Sequence, residues 1–417
     1  MRVAMVSEHA SPLAALGDVD AGGQNVHVGE LSAALAHHGH DVTVYTRRTD
    51  PSSAERIRTE RGFTVVQVPA GPARPLPKDD LYRYMGEFGQ RLGTALAVAP
   101  PDLVHAHFWM SGLASVLAAR QVGVPVVQTF HALGTVKRRH LGDQDTSPPE
   151  RISTERMVGR HVAQVIATCT DELFELVRLG VPRTRISIIP CGVDLTEFQP
   201  HGPAAERGAP HRLLAVGRLV PRKGFDLAID ALRGVPDTEL VIAGGSPAAR
   251  LGSDAEATRL SSLARRLGVA DQVHLLGQVP RDRMPALFRS ADAVVCTPWY
   301  EPFGIVPIEA MACGVPVLAT PVGGLADTVV DGVTGLHVRA EPAALRRSIQ
   351  CLIADGYRRD TLGMAGRDRA CARYSWDRVA AETTRVYQRV CTEPTQLRTR
   401  STMPTGSELD AQRAGDA

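Results

Sequence analysis

Short runs of apolar and β-branched residues alternate with helix-patterned segments along most of this chain, and the alternation begins twice. "RVAMVSEH" reads as the first strand, followed by a Gly22–Gly23 turn and a helix from about Gln24 to His38. "DVTVYTRR", "FTVVQVPA", "PDLVHAHF", "VPVVQTFH", "QVIATCT" and "ISIIPCGV" follow as strands, mostly separated by helical patterns. This rhythm predicts a parallel sheet covered by helices on both faces. From Gln199 to His211 it stops: "QPHGPAAERGAPH" is rich in Pro, Gly and Ala and has no apolar period, as an interdomain linker would be. It restarts with "RLLAVGRL", "ELVIAGG", "QVHLLGQV", "DAVVCTP", "VPVLATP" and "TGLHV", then a helical stretch from about Pro342 to Arg389. The expected division is a Rossmann-like domain at 1–200, a second at 201–375, a C-terminal helix at 376–392 packing back on the first, and a disordered tail at 393–417.

Two doubly wound parallel sheets of this α/β class predict a cleft between them. Open parallel sheets bind ligands outside the carboxyl ends of their strands. Gly22–Gly23, His107, His131, Gly217–Arg218, Gly244–Gly245, Gln278, Glu301 and Gly323–Gly324 all fall at such ends. The 417 residues are 44% hydrophobic and 22% charged, with a formal charge of +2, so no basic excess points to nucleic acid or an anionic membrane. Only Lys78, Lys137 and Lys223 are lysines. Either codon bias favours Arg, or each retained lysine marks a need for a compact ammonium. The seven cysteines form no CxxC pair, which favours reduced thiols over disulfides or zinc. The N-terminus lacks the apolar core of a signal peptide and no run is long enough to span a bilayer, so a cytoplasmic protein without an integral membrane segment is expected. The sequence fixes no oligomeric state.

In "VGRLVPRKGFD" a strand ends at Gly217, and Arg218 and Lys223 stand in a loop before a helix expected near Gly224. Two cations beside a helix N-terminus make an anion site, and a diphosphate fits it. Each charge-assisted hydrogen bond there is worth roughly 1.5–3 kcal/mol. The plain alternative is a solvated basic turn. "WYEPFGIVPIEAMACGVPVLATPVGG" carries Glu301 in a loop and Glu309 near a helix start, both in apolar surroundings. Ionised carboxylates only accept hydrogen bonds, which suits sugar or ribose hydroxyls; the alternative is helix capping by Glu309 with Glu301 on the surface. "DVDAGGQNVHV" offers a glycine turn before a helix, for close backbone approach to phosphate, but it is not a GxGxxG fingerprint. "TFHALG" puts His131 at a strand end, able to meet a sugar hydroxyl or to be merely structural. "VHAHF" places His105 and His107 on one strand face, a chelating spacing without an evident third ligand, so no metal site is expected. "KRRHLGDQDTSPPE" is a lid or a solvated loop. Two cations for diphosphate, two carboxylates for hydroxyls and a histidine across a cleft describe sugar transfer from a nucleotide diphosphate.

"GRLVPRKG" followed by "EPFGIVPIEAMACGVPVLAT" resembles the retaining glycosyltransferases of family 4, which have the two-domain GT-B fold. Glu301 and Glu309 match that family's E-x7-E pattern, and the likeness spans about residues 1–390. The resemblance implies a first domain for the acceptor and a second for a nucleotide-sugar donor, with no metal or other cofactor. It implies that Arg218 and Lys223 hold the diphosphate and that Glu301 holds a donor-sugar hydroxyl, helped by backbone around Phe303, Gly304, Ile305 and Val306. Glu309 would hold the ribose, Gly23 would approach the phosphates and His131 would contact the donor sugar. Arg218, Lys223, Glu301 and His131 are then the expected catalytic set. "DAGGQNVHV", "VHAHFWMSG" and "FHALG" are similar to two groups: the inositol-phosphate N-acetylglucosaminyltransferases of mycothiol synthesis and the sucrose-phosphate synthases. Asn25, Lys78 and Arg151 would bind the acceptor, the two cations through a phosphate. Phe108 and Ala132 stand where the first group has Tyr and Thr, so two hydroxyl contacts are missing and a different acceptor is expected. The resulting expectation is a metal-independent, retaining transferase moving a sugar from a nucleotide sugar, UDP-linked or alternatively GDP-mannose, to a hydroxyl acceptor. A UDP-sugar epimerase or phosphorylase on the same fold, or a non-catalytic sugar-nucleotide-binding subunit, are the alternatives.

Overall fold

The computed structural model describes residues 1–13 and 22–392. The expected tail at 393–417 lies outside them, as does the 14–21 part of the glycine turn. In chain order the first half holds β1 (Arg2–Val6), α1 (Gly23–His37), β2 (Asp41–Arg47), β3 (Arg56–Arg58), β4 (Thr64–Val68), α2 (Met85–Val98), β5 (Leu103–His107), α3 (Trp109–Val122), β6 (Val126–Thr129), α4 (Gly134–Leu141), α5 (Arg151–His161), β7 (Gln164–Ala167), α6 (Thr170–Arg178) and β8 (Ile186–Ile188). The second half holds β9 (His211–Val216), α7 (Phe225–Ala231), β10 (Thr238–Ala243), α8 (Ala255–Arg266), β11 (Val273–Gly277), α9 (Met284–Arg289), β12 (Ala293–Cys296), α10 (Ile305–Ala312), β13 (Val317–Ala319), α11 (Gly324–Thr328), β14 (Gly335–His337), α12 (Pro342–Ala354), α13 (Gly356–Arg373) and α14 (Trp376–Thr392).

The strands form two sheets, ordered β3-β4-β2-β1-β5-β6-β7-β8 and β11-β10-β9-β12-β13-β14. Every pairing is parallel except β3 with β4. In each sheet the order reverses beside the first strand: β1 lies between β2 and β5, and β9 between β10 and β12. A crevice opens at such a switch point, where neighbouring connections leave on opposite faces. The two Rossmann-like α/β domains present these crevices to each other.

Two elements depart from the sequence reading. β3 is an antiparallel edge strand that the polar "RIR" did not announce. The helical stretch from Pro342 divides not only at the start of the expected helix 376–392, which is α14, but also at Asp355, between α12 and α13. Asp355 starts α13 by accepting a hydrogen bond from Arg358 N at 2.9 Å, and Tyr374 O turns outward to accept from Val193 N at 2.7 Å. The segment expected as a linker, 199–211, is irregular chain between the two sheets and is tied to the second: Gly208 N donates to Glu239 Oε1 at 3.0 Å, and Arg289 donates to the carbonyls of Pro203 and Gln199. Helix α14 buries Trp376, Val379, Ala380, Val386 and Tyr387 in one core with Val3, Met5, Val28, Leu31 and Leu35. Helix α14 therefore covers a face of the first sheet.

Candidate functional site

A cavity of about 400 Å³ lies between the carboxyl ends of the two sheets. From the first domain its wall takes His9, Gly22, Gly23, Asn25, Lys78, Phe108, His131 and Ala132. From the second it takes Arg218, Arg222, Lys223, Arg281, Glu301, Phe303, Ile305, Val306 and Glu309. Gly244–Gly245, Gln278 and Gly323 occupy strand ends too but do not line it.

β9 ends at Val216, and the chain turns through Arg218 into a single 3₁₀ turn at Pro221–Lys223 before α7. This basic loop is joined to the loop after β12. Trp299 N donates to Arg222 O at 2.9 Å, and the Lys223 ammonium donates to Glu301 Oε2. Both side chains are mostly buried, at 16% and 14% exposure. Burial opposes ionisation of Glu301, but the Lys223 and Arg222 cations outweigh it, and the carboxyl titrates below its ordinary range. The two motifs therefore form one ion pair instead of two independent binding groups.

Gly304 does not line the cavity. With φ at 71°, it is the left-handed residue that turns the loop into α10, and it thereby aims the first turn of that helix inward. Glu309 lies in the second turn, buried at the cavity wall, with Oε1 accepting from Arg281 Nη1 at 2.8 Å. Burial pushes the Glu309 carboxyl up, against the pull of Arg281. Arg281 itself stacks over Phe198 at 4.9 Å and approaches Glu197 at 3.6 Å. The sequence reading missed Arg281. Its only signal was a position a few residues past the end of β11, which many solvated arginines share.

On the opposite wall Gly23 begins α1 and approaches the second domain closely, since a Cβ there would stand 3.1 Å from Ile305 Cδ1. Asn25 is spent on this turn: Oδ1 accepts from Gly22 N at 3.1 Å and Nδ2 donates to Ser11 O at 3.0 Å. His131 follows β6 in a left-handed conformation, φ 64°, and its ring lies 5.1 Å from Phe303. His107 does not line the cavity but hydrogen-bonds His131 at 2.8 Å. His105 bonds Tyr387 Oη at 2.6 Å and Thr129 Oγ1 at 2.9 Å, so the two-residue spacing serves structure.

Lys78 and Arg151 meet around Phe108, with their charges 5.3 and 5.2 Å from its ring centre. Lys78 reaches the cavity and Arg151 stays behind it. The Arg151 guanidinium bonds Glu155 at 2.9 Å and Ala132 O at 2.9 Å. Burial and the neighbouring Arg151 charge lower the Lys78 ammonium. The structure adds His9, whose Nδ1 bonds the buried Glu8 carboxylate at 2.7 Å. Nothing in "SEHASP" singled it out. The segment read as lid or solvated loop is helical through Leu141 and then anchored, because Lys137 bonds Asp145 at 2.9 Å and Ser147 at 2.8 Å. His140 stacks on Tyr300 of the other domain at 5.6 Å. Cys296 in the wall is no ready nucleophile, since burial pushes its thiol up to about 12.

Two parallel-sheet domains with cations and carboxylates converging between them define the GT-B class of glycosyltransferase. Two family models match, "Glycosyltransferase Family 4" over residues 21–197 and "Glycosyl transferases group 1" over 201–369. The chain is 38% identical to a D-inositol 3-phosphate glycosyltransferase of Xylanimonas cellulosilytica, over 93% of this chain and 96% of that one. It is also 38% identical to D-inositol 3-phosphate glycosyltransferase 2 of Catenulispora acidiphila, over 96% and 97%. Among solved structures, sucrose-phosphate synthase from Thermosynechococcus elongatus superposes with a TM-score of 0.84 at 32% identity, covering 93% of this chain and 98% of that one. Anabaena HepE shares the fold alone, with a TM-score of 0.72 at 18% identity over 93% and 100%. The chain belongs to the family 4 glycosyltransferases, and it is a glycosyltransferase. The epimerase and non-catalytic readings give way to that assignment, whereas a phosphorylase, which also transfers a glycosyl group, is compatible with it. Among the described residues, no helix is long and apolar enough to cross a membrane.

Proposed function

We propose that this enzyme transfers a sugar, with retention and without a metal, from a UDP-sugar to a hydroxyl of a phosphorylated polyol. The observation that carries the reading is the Lys223–Glu301 pair set beside Arg218 in the interdomain cavity. The two cations bind the diphosphate and stabilise its negative charge as the glycosidic bond breaks, the role a divalent ion plays in other transferases. Glu301 anchors Lys223 and accepts from a donor-sugar hydroxyl. Glu309, oriented by Arg281, accepts from ribose hydroxyls. His131 meets the donor sugar, and the acceptor enters from the first domain. Attack on the same face as the departing diphosphate lets the leaving phosphate oxygen take the acceptor proton.

Lys78, backed by Arg151, supports a phosphate on the acceptor. Inositol 3-phosphate, the acceptor in the names of the relatives, is the first compound to test. Phe108 supplies no hydroxyl to it, so Phe108→Tyr is expected to lower KM for that acceptor several-fold if it is the substrate, one hydrogen bond being worth about 1 kcal/mol. The seven cysteines, all unpaired, suit a cytoplasmic enzyme. The test is product analysis by NMR with UDP-sugars and polyol phosphates, in buffer containing EDTA. A new α-glycoside from an α-linked donor is expected. A β-glycoside, dependence on added metal, or turnover only with GDP-linked donors would each contradict the corresponding part of the proposal.

A further inference from the structure

His107 Nδ1 and His131 Nε2 are 2.8 Å apart, both rings are buried, and the second nitrogen of each, His107 Nε2 and His131 Nδ1, has no partner. Burial drives both rings well below the ordinary imidazole value, so both are neutral and each carries one proton. One of them must donate to the other, which leaves two arrangements. If His131 donates, His107 keeps its proton on Nε2 and a bare N–H is stranded in the interior. If His107 donates, His107 Nε2 is a bare acceptor and His131 carries its proton on Nδ1. Orphaned buried N–H groups are rarer than under-satisfied acceptors. The two rings also differ in place, since His131 forms part of the cavity wall and His107 does not. His131 Nδ1 exposes almost no surface, so a ligand meets it only with a small turn of the ring, but that ring stands at the cavity, whereas a stranded donor on His107 lies behind it.

We infer that His107 is a positioning residue that donates from Nδ1 to His131 Nε2 and so fixes His131 as a hydrogen-bond donor, through Nδ1–H, to an oxygen of the bound sugar nucleotide. The surroundings hold the pair in register. Gln24 Nε2 donates to His107 O at 3.4 Å. The His105 ring packs against His107, tilted, with centroids 4.2 Å apart, and is itself clamped between Thr129 and Tyr387 of α14. The C-terminal helix thus supports a chain of three imidazoles that ends at the cavity. The ligand half of this inference rests on the proposed donor site, whereas the tautomer half stands on the two rings alone.

The experiment separates the two. The protein is labelled with ¹⁵N in its 14 histidines, and long-range ring ¹H–¹⁵N spectra are recorded, with His131 assigned by its loss in His131→Gln. The expected wild-type pattern is a neutral His131 protonated on Nδ1 and a His107 also protonated on Nδ1. Asn keeps an N–H donor near the position of His Nδ1, so His107→Asn is expected to preserve the His131 pattern. His107→Phe is expected to release it towards Nε2–H and to raise the donor KM about 5- to 10-fold, the loss of roughly one hydrogen bond, with His107→Asn largely rescued. A wild-type His131 protonated on Nε2 or on both nitrogens overturns the inference without any variant. So does an unchanged His131 pattern in folded His107→Phe. If the tautomer is as stated but neither UDP nor a UDP-sugar perturbs the His131 Nδ1–H signal, the donor-site reading fails and the pair remains.

Discussion

Removing the Lys223 ammonium leaves the mostly buried Glu301 carboxyl with Arg222 as the remaining cation to oppose the cost of its burial. Lys223→Ala is therefore expected to destabilise the fold by about 1–3 kcal/mol, because breaking a buried pair strands a charge. A solvated basic turn, the plain alternative in the sequence, would imply almost no such cost. Glu301→Gln in the Lys223→Ala background is expected to restore most of that stability in urea denaturation, and an additive loss would show that the pair is not coupled. Glu172 supplies a second residue-scale prediction. Its Oε2 accepts from Thr168 N and Oγ1 at 2.7 Å, while Oε1 is buried without a partner. Burial pushes its carboxyl from 4.5 up to about 7. The unfolded chain therefore releases this proton first as pH rises. Between those two values the native state binds the extra proton, so stability falls through that window and is flat for this group above it. Glu172→Gln is expected to remove a slope worth on the order of 2 kcal/mol, seen as a smaller Tm difference between pH 5 and pH 8. An unaltered difference would mean that Glu172 is not raised.

At the scale of elements, helix α10 carries Glu309 and is aimed by Gly304. An alanine there would sit in the left-handed region with its Cβ 2.9 Å from Thr328 Oγ1. Gly304→Ala is expected to cost about 1–2 kcal/mol and to raise the donor KM without altering the acceptor KM. An acceptor effect alone would put the helix in the wrong role. Most elements could be read from the sequence because their cue was local. Strands buried on both faces announce themselves as apolar runs, and Pro221 and Gly224 punctuate the basic loop. β3 could not be read, since "RIR" becomes a strand only by pairing with β4. The break between α12 and α13 was hidden as well, because a lone Asp355 capping Arg358 N is a weak cue inside a long helical pattern.

On the scale of the whole molecule, the site exists only because two sheets face each other. Most of its residues were found because topology places strand ends at the cleft whatever the details. Their partners were not, because pairing is a long-range outcome: Lys223 and Glu301 are 78 residues apart, and His107 and His131 are 24 apart. Contacts across the cleft hold the domains together around the cavity: Asp327 Oδ2 accepts from Thr170 N at the start of α6 at 2.6 Å, and Thr168 Oγ1, whose proton goes to Glu172, lies 3.2 Å from Pro302 O. That arrangement matters for function if the cations between the domains neutralise a departing diphosphate. The most direct measurement is the rate of UDP release in the presence of acceptor, at saturating donor, for Arg218→Ala and Lys223→Ala proteins shown to be folded. The account predicts a fall of about 10²–10³ in kcat for each, the usual cost of losing a preorganised charge-stabilising group. A kcat within about twofold of wild type for both would contradict it.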